Sequence, residues 1–298
     1  MSEIRTFDAF GWTAERAVAA KQGQTVSLCI PCRDEVATIG SLVRTIRSLL
    51  VDRHGIVDEL IVLDDRSTDD SAIVAARAGA RVVPIGDVHE RHGVGHGKGN
   101  ALWATLAVSS GDFVVWCDAD VTSFEPLWVT RLLAPLLDDE TIALVKARYD
   151  RPSHDGGGGR TTELVARPLL SLYMPELTGL EQPLSGEIAG RRSVLAQLPF
   201  VEGWGVEIAM LVDLAQRLGP ECIAQVDLGV RTQRHRTLHE LSVQAAEVMA
   251  ALLSRCKGAP PLPPTPSLHR PDGSVLPLHL AERPPLASLI SHDTPLER

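Results

Sequence analysis

Two aspartates one residue apart, Asp118 and Asp120, follow the apolar run FVVW at residues 113–116. A continuous β-branched and aromatic run is typical of a parallel strand that is covered on both faces. Alternate residues of a strand share a face, so the two carboxylates should repel each other unless a positive charge lies between them. Mg²⁺ or Mn²⁺ would supply that charge, since both accept carboxylate oxygens. The alternative is a solvated junction between strand and loop.

Three other segments combine cations with features that suit anions. Lys98 lies between glycines ahead of a predicted helix, without the spacing of a P-loop. Four glycines, Arg160 and two threonines precede another helix, where free N–H groups and a guanidinium favour phosphate or carboxylate. VRTQRHRTLHE, from residue 230, offers a diphosphate clamp and a histidine for a metal. The alternatives are that Lys98 is an ordinary loop lysine, that the glycines before Arg160 form a flexible linker, and that the segment from residue 230 is a solvated basic stretch.

Strand and helix patterns alternate through residues 25–120, which predicts a doubly wound, mostly parallel sheet. The first strand, residues 25–30, should stop at Pro31, and two acid-rich turns, PCRDE and LDDRSTDDS, follow the first two strands. Glu35 and Asp65 then lie at the carboxyl edge of the sheet, where they could recognise a base or ribose. For Asp69 and Asp70 we favour a plain role as negative charges in a first helical turn.

Composition excludes several classes of protein. A formal net charge of −9 argues against non-specific nucleic-acid binding. The five cysteines lack metal-binding spacing, and the C-x-x-C of Cys29 and Cys32 begins inside an apolar strand, which disfavours a redox role. The N-terminus has no signal-peptide pattern, and no apolar run approaches the roughly 18 residues of a membrane span. We therefore predict a cytoplasmic protein with free thiols.

The strand followed by Asp-x-Asp resembles the GT-A glycosyltransferases, and the finer resemblance is to the glucosyl-3-phosphoglycerate synthases, which are retaining enzymes. It covers most of residues 10–256, with ERPPL in the tail, and rests on the motifs DELIVLD, STDD, GKGNALW, TELVARPLL, QPLSGE, GVEI and LLSRC. The resemblance implies a nucleotide-sugar-binding half at 1–150 and a helical acceptor-binding half of the same domain at 151–256. Residues 257–298 are predicted to be an extended, proline-rich tail without core elements.

The resemblance also implies site residues. A nucleoside-diphosphate-sugar would lie at the sheet edge, with a small anionic acceptor opposite and Mg²⁺ or Mn²⁺ between, in a homodimer. On the donor side it implies Pro31, Cys32, Arg33, Glu35, Asp65, Lys98, Asp118, Ala119, Trp204, Glu207, Arg231 and Arg236. The metal would be held by Asp120 and by Gln233 or His235, and the acceptor phosphate by Gly159, Arg160 and Thr162. The backbone near Leu184 would lie beside the reacting carbon, with Asp120 and Glu207 completing the catalytic set.

This sequence departs from the family on the donor side. Gln233 stands where the family has a metal-binding His, although His235 could substitute, and Trp204 stands where Tyr is more common. Arg33, Asp65 and Arg66 crowd the edge that holds the base. The family favours UDP-glucose and 3-phosphoglycerate. The alternatives are a GDP-sugar enzyme of specialised metabolism with a hydroxyl or thiol acceptor, such as the lincosamide S-glycosyltransferase, and an inactive sugar-nucleotide-binding protein.

Overall fold

A central sheet organises the chain, whose computed structural model describes residues 4–150, 159–232 and 237–290. The strands in this part are β1 (Arg5–Phe7), β2 (Val26–Cys32), β3 (Glu59–Asp64), β4 (Arg81–Pro84), β5 (Phe113–Trp116), β6 (Leu144–Asp150), β7 (Ile188–Arg191), β8 (Phe200–Val201), β9 (Ile223–Val230), β10 (Ser267–His269), β11 (Val275–Pro277) and β12 (Glu282–Arg283). Eight of them form the main sheet, in the order β1-β9-β6-β7-β5-β2-β3-β4. Within it β7 runs antiparallel to β5 and β6, and the other pairs are parallel. The predicted mostly parallel sheet is confirmed.

Helices cover both faces of this sheet. They are α1 (Ala14–Lys21), α2 (Ile39–Ile46), α3 (Ser71–Ala78), α4 (Ile85–His92), α5 (Gly97–Val108), α6 (Leu127–Asp138), α7 (Arg167–Tyr173), α8 (Arg192–Leu195), α9 (Val206–Leu218), α10 (Leu238–Leu253) and α11 (Leu286–Ile290). Two π-helical segments, Arg47–Arg53 and Thr162–Ala166, adjoin α2 and α7. Along β5, Phe113 and Val115 belong to one buried apolar cluster, and Val114 and Trp116 to the other. Both faces of β5 are therefore buried, which explains why its sequence is one continuous apolar run.

Pro31 does not end the first strand, contrary to the prediction. Strand β2 continues to Cys32, which pairs with Asp64 of β3. The carbonyl of Cys29 accepts the Cys117 N–H on the β5 side, and Pro31 faces the same side two residues later. The ladder with β5 ends at the pair Cys29 and Trp116, so the missing N–H of Pro31 costs no ladder hydrogen bond.

The C-terminal segment contributes to the core, so the prediction of a tail without core elements is wrong for this part. Strands β10 and β11 form a hairpin, and β12 pairs antiparallel with β8. The indole N–H of Trp103 donates to the carbonyl of Pro284 at 2.8 Å. Leu286 is 4% exposed and packs in the core cluster that contains α5 and α9. No helix in the described ranges has the length and hydropathy to cross a membrane.

Replacing Leu286 with Ala should lower the free energy of unfolding by about 2–5 kcal/mol, because it leaves a cavity under α11. Urea denaturation measures the change. The control is Leu172→Ala on α7, where the side chain is 75% exposed. Equal, small effects of the two substitutions would show that the C-terminal segment is not part of the core.

Candidate active site

Two helix N-termini bring opposite charges together at one edge of the sheet. Lys98 is in the first turn of α5, and Glu207 is in the first turn of α9. A carboxylate is favourable at a helix N-terminus, whereas an ammonium there is not. The Lys98 Nζ lies 2.7 Å from Glu207 Oε1 and 3.1 Å from Asp118 Oδ1, so the two carboxylates offset the unfavourable position of the amine.

A buried arginine forms the second half of this charged cluster. Arg231, directly after β9, has a side chain that is 1% exposed. Its Nη2 lies 2.9 Å from Asp118 Oδ2 and 3.7 Å from Asp120 Oδ1. Its Nε donates to Glu187 Oε1 at 2.9 Å, and that glutamate is equally buried. Asp118 therefore lies between two cations of the protein itself.

The neighbouring charges oppose the effect of burial on these groups. Burial acts to lower the pKa of Lys98, but the Asp118 and Glu207 carboxylates outweigh it and raise that pKa above its usual value. Burial raises the pKa of Glu187, while the adjacent Arg231 opposes the rise. The cluster is thus a set of mutually dependent ion pairs, in which the removal of one partner leaves another charge buried and unpaired.

The two aspartates do not share a strand face, contrary to the prediction. Strand β5 ends at Trp116, and Asp118 and Asp120 lie in the loop that follows. They converge because both approach Arg231. Gly186 allows the close packing, since a Cβ there would lie 2.1 Å from Asp118 Oδ2. The Ala119 carbonyl between the aspartates accepts a hydrogen bond from Thr38 Oγ1 at 2.7 Å.

A divalent cation fits this site in part. Asp120 has a side chain that is 29% exposed at the carboxyl edge of the sheet, and carboxylate oxygen suits Mg²⁺ or Mn²⁺. Among the described residues, no group of three or more His, Cys, Asp or Glu side chains could hold a metal. Mg²⁺ commonly takes one or two carboxylates together with substrate phosphates and water, so this is not a misfit. Gln233, His235 and Arg236, predicted for the metal and donor, lie outside the described residues.

The predicted nucleotide edge is formed at the ends of β2 and β3. Pro31 and Cys32 end β2, and Asp65 is 7% exposed with Arg66 Nε 3.0 Å from its carboxylate. Burial raises the pKa of the Cys32 thiol to about 12, so this thiol is neutral and unsuited to redox chemistry. Arg33 has a side chain that is 60% exposed, with its Nε 3.9 Å from Asp34 Oδ2. Glu35 is half-buried, and its N–H donates to Ser71 Oγ.

The other acids of these turns have structural roles. Asp34 accepts the Thr68 N–H at 2.6 Å, and Asp69 accepts the Val36 N–H at 3.2 Å. These bonds join the two acid-rich turns to each other. Asp69 also accepts the N–H of Ser71, the first residue of α3, and Asp70 is the N-cap of that helix, so both acids precede the first helical turn rather than lying within it as predicted.

The predicted acceptor residues lie where the π-helical segment begins. Gly159 has φ +90°, which favours glycine, and its carbonyl accepts the Glu163 N–H at 2.9 Å. Arg160 is half-buried, and Thr162 is buried. A Cβ on Gly159 would lie 3.7 Å from Gln182 Oε1, so residue 182 adjoins this segment.

Residues 182–187 lie between the segment at Gly159 and the charged cluster and include Leu184, which is half-buried. Three of their buried polar atoms have no hydrogen-bond partner in the part of the chain that the structure describes: Gln182 Oε1, Ser185 Oγ and Glu187 Oε2. Buried polar atoms are normally hydrogen-bonded, so this concentration indicates a place for a ligand or water. The structure thus brings together Lys98, Asp118, Asp120, Glu207 and Arg231, and places Trp204 with its ring 5.9 Å from Lys98 Nζ.

Sequence reasoning missed two charged residues of the site, Lys146 and Glu187. Lys146 lies on β6, is 1% exposed and donates to the Ser185 carbonyl at 2.5 Å. Burial lowers its pKa to about 7, against the opposing effect of the carboxylates of Glu207 and Glu187. The available signal was a lysine inside the otherwise apolar run IALVKA. Glu187 ends the motif QPLSGE, where nothing local marks it as the partner of Arg231.

Replacing Arg231 with Met should lower the free energy of unfolding by about 3–5 kcal/mol at pH 7, because Glu187 is left buried without its cation. Adding Glu187→Gln to that variant should restore a large part of the loss, since the neutral amide needs no counter-charge. Urea denaturation of both variants measures this. A double variant no more stable than Arg231→Met would mean that the buried pair does not couple the two residues.

Lys146 should make stability depend on pH. Its folded pKa of about 7 lies below the ordinary value of a lysine, so between these values the unfolded chain binds more protons and the unfolding free energy rises with pH. From pH 8 to 9.5, wild type should gain about 1 kcal/mol per pH unit relative to Lys146→Met. The control is Lys257→Met at an exposed position. A difference between wild type and Lys146→Met that stays constant over this range would contradict the assignment.

Comparison with known proteins agrees with this geometry. The family model for glycosyl transferase family 2 matches residues 27–198. The glucosyl-3-phosphoglycerate synthase of Mycolicibacterium paratuberculosis is 46% identical over 302 residues, covering 96% of this chain and 91% of that protein. The Mycobacterium tuberculosis (strain H37Rv) enzyme of the same name is 47% identical over 293 residues, covering 93% of this chain and 89% of that protein.

Solved structures of glucosyl-3-phosphoglycerate synthases are also similar to this chain. The crystal structure of the M. tuberculosis glucosyl-3-phosphoglycerate synthase in complex with Mn²⁺, UDP-glucose and phosphoglyceric acid superposes with a TM-score of 0.88 at 47% identity. The match covers 96% of this chain and 99% of that one. The predicted GT-A fold and the family resemblance are therefore confirmed. The chain belongs to glycosyl transferase family 2 and, within it, to the glucosyl-3-phosphoglycerate synthase family of glycosyltransferases.

Proposed function

We propose that this enzyme transfers glucose from UDP-glucose to 3-phosphoglycerate, with retention of configuration and with Mg²⁺ or Mn²⁺ as cofactor. The observation that carries the proposal is the cluster in which Asp118 lies between Lys98 and Arg231, with Asp120 beside it at the carboxyl edge of the sheet. Ligands of open α/β sheets bind at that edge. The related M. tuberculosis enzyme has been solved with Mn²⁺, UDP-glucose and phosphoglyceric acid, which supports the same substrates here.

The donor extends along this edge in our proposal. The nucleotide lies against the turn after β2 and against Asp65, with Asp118 and Ala119 beside ribose and diphosphate. Lys98, Arg231 and Arg236 supply positive charge to the diphosphate, and Trp204 and Glu207 hold the sugar. The ring of Trp204 near Lys98 supports this order, because it places an aromatic face next to the cation that meets the diphosphate.

Asp120 would hold the metal together with Gln233 or His235, and oxygen ligands from the donor would complete its coordination. When bound, the cation supplies charge that stabilises the leaving diphosphate. Among the described residues around it are the carboxyl groups of Asp118, Asp120, Glu187 and Glu207 and the cations of Lys98 and Arg231. A diphosphate would add further negative charge beside these carboxylates, and a divalent cation would offset it.

We propose that the side chains position the reactants rather than attack the sugar. Gly159, Arg160 and Thr162 hold the acceptor phosphate, and the backbone at Leu184 lies beside the reacting carbon. The acceptor hydroxyl then approaches from the face that the diphosphate leaves, and a leaving-group oxygen takes its proton. Lys98 stays protonated because its pKa is raised, so it can stabilise the departing charge.

A second candidate keeps the chemistry and changes the donor to a GDP-sugar. Arg33 and Arg66 have side chains that are 60% and 47% exposed at the nucleotide edge, where a purine could use additional polar contacts. We therefore consider the identity of the donor's nucleotide base the first question to test, ahead of the identity of the acceptor.

The test is a panel of UDP- and GDP-sugars against 3-phosphoglycerate and glycerol 3-phosphate, with Mn²⁺ present, followed by NMR of the product. We expect the highest kcat/KM with UDP-glucose and 3-phosphoglycerate, and an α-linked product. Higher kcat/KM with a GDP-sugar would support the second candidate. A β-linked product would contradict retention, and the absence of transfer from every donor would contradict the proposal.

Arg160→Ala should raise the KM for 3-phosphoglycerate about 10-fold or more, because a charge-assisted hydrogen bond to the phosphate is lost. The KM for UDP-glucose should change less than about twofold, since the donor lies at the other side of residues 182–187. Steady-state kinetics with each substrate varied in turn measures both values. The matched control is Arg167→Ala, about two helical turns later, where the guanidinium pairs with Glu163. An acceptor KM that Arg160→Ala leaves unchanged would remove this role.

A further inference from the structure

A buried glutamate on α10 holds the loop that carries Trp204. Glu247 is 1% exposed. Its Oε2 accepts the N–H of Trp204 at 2.7 Å, and its Oε1 accepts the N–H of His279 at 2.9 Å. One carboxylate thus joins three separate parts of the chain. A buried carboxylate is costly unless its oxygens are satisfied, so both bonds fix this arrangement.

The C-terminal segment closes over the same loop from the other side. The N–H of Gly203 donates to the His279 carbonyl at 3.1 Å, and that of Glu202 donates to the Ala281 carbonyl at 2.8 Å. These bonds continue the pairing of β12 with β8. The residues before Trp204 are therefore held between the C-terminal segment on one side and α10 on the other.

Two glycines make this confinement possible. A Cβ on Gly203 would lie 2.2 Å from Glu247 Oε2, and a Cβ on Gly205 would lie 2.4 Å from the Cβ of Ala251 on α10. The segment that bears Lys98 packs on the same backbone, since the Gly99 N–H lies 3.1 Å from the carbonyl oxygens of both Glu202 and Gly203. The loop has no room to move without displacing its neighbours.

We propose that Glu247 is a positioning residue for the donor sugar, acting through Trp204, and that the C-terminal segment is part of the donor site. The inference rests on the proposed function, in which Trp204 contacts the glucose. Glu247 touches no substrate. It sets the backbone from which the indole projects, so its loss should weaken contacts with the sugar and spare those with the nucleotide.

The test is calorimetric titration of wild type and Glu247→Gln with UDP-glucose and, separately, with UDP, both with Mn²⁺. The amide offers one acceptor oxygen where the carboxylate has two, so one N–H loses its partner. We expect the Kd for UDP-glucose to rise about 10-fold and the Kd for UDP to change less than about twofold. Unchanged UDP binding also shows that the variant is folded. Glu90→Gln, at an exposed position on α4, is the charge-matched control.

A double-mutant cycle with Trp204→Ala tests whether Glu247 acts through Trp204. If Glu247 acts through Trp204, Glu247→Gln should add nothing to the loss of UDP-glucose affinity in the Trp204→Ala background. Additive losses, equal losses for UDP and UDP-glucose, or unchanged UDP-glucose binding in Glu247→Gln would each overturn this inference while leaving the proposed function intact. A wild-type protein that binds neither ligand would instead contradict the proposed function.

Discussion

The ion pairs of Asp118 with Lys98 and Arg231 are the constraint on which the site depends. They join the start of α5, the end of β9 and the loop after β5, and Arg231 extends the network to Glu187 after the bend at Gly186. Because these groups are largely buried, each needs its partner in place, and the elements that carry them are fixed relative to one another. The fold thereby presents a preorganised edge to an anionic donor.

This arrangement assigns different roles to the two aspartates. Asp118 has a protein cation at each of its two oxygens, at 3.1 Å and 2.9 Å, whereas the nearest oxygen of Asp120 is 3.7 Å from Arg231. In our account Asp118 orders the protein and Asp120 binds the metal. The buried amine of Lys146, which holds the Ser185 carbonyl, then orders the backbone between the metal side and the acceptor side.

Local sequence was enough to predict the alternating elements and the acid-rich strand ends, and to single out Asp118, Asp120 and Lys98, which the structure brings together; Glu207 came from the family resemblance. Failures occurred where a feature depends on distant neighbours. Whether Pro31 ends a strand depends on which side its nitrogen faces and on where β5 stops. The partnership of Arg231 with Glu187 and the role of Glu247 each join residues far apart in the chain. The predicted homodimer, the domain boundaries and the cytoplasmic location stay predictions.

The central claim is that a divalent cation accompanies the donor diphosphate at the edge of the sheet where Asp120 lies. Titration of UDP into the wild-type protein, once with Mn²⁺ and once with a chelator, tests it most directly. The account predicts that UDP binds at least about 10-fold more tightly with Mn²⁺, because removing the cation leaves the diphosphate facing the carboxylates of the cluster. Equal affinity with Mn²⁺ and with chelator would contradict the account.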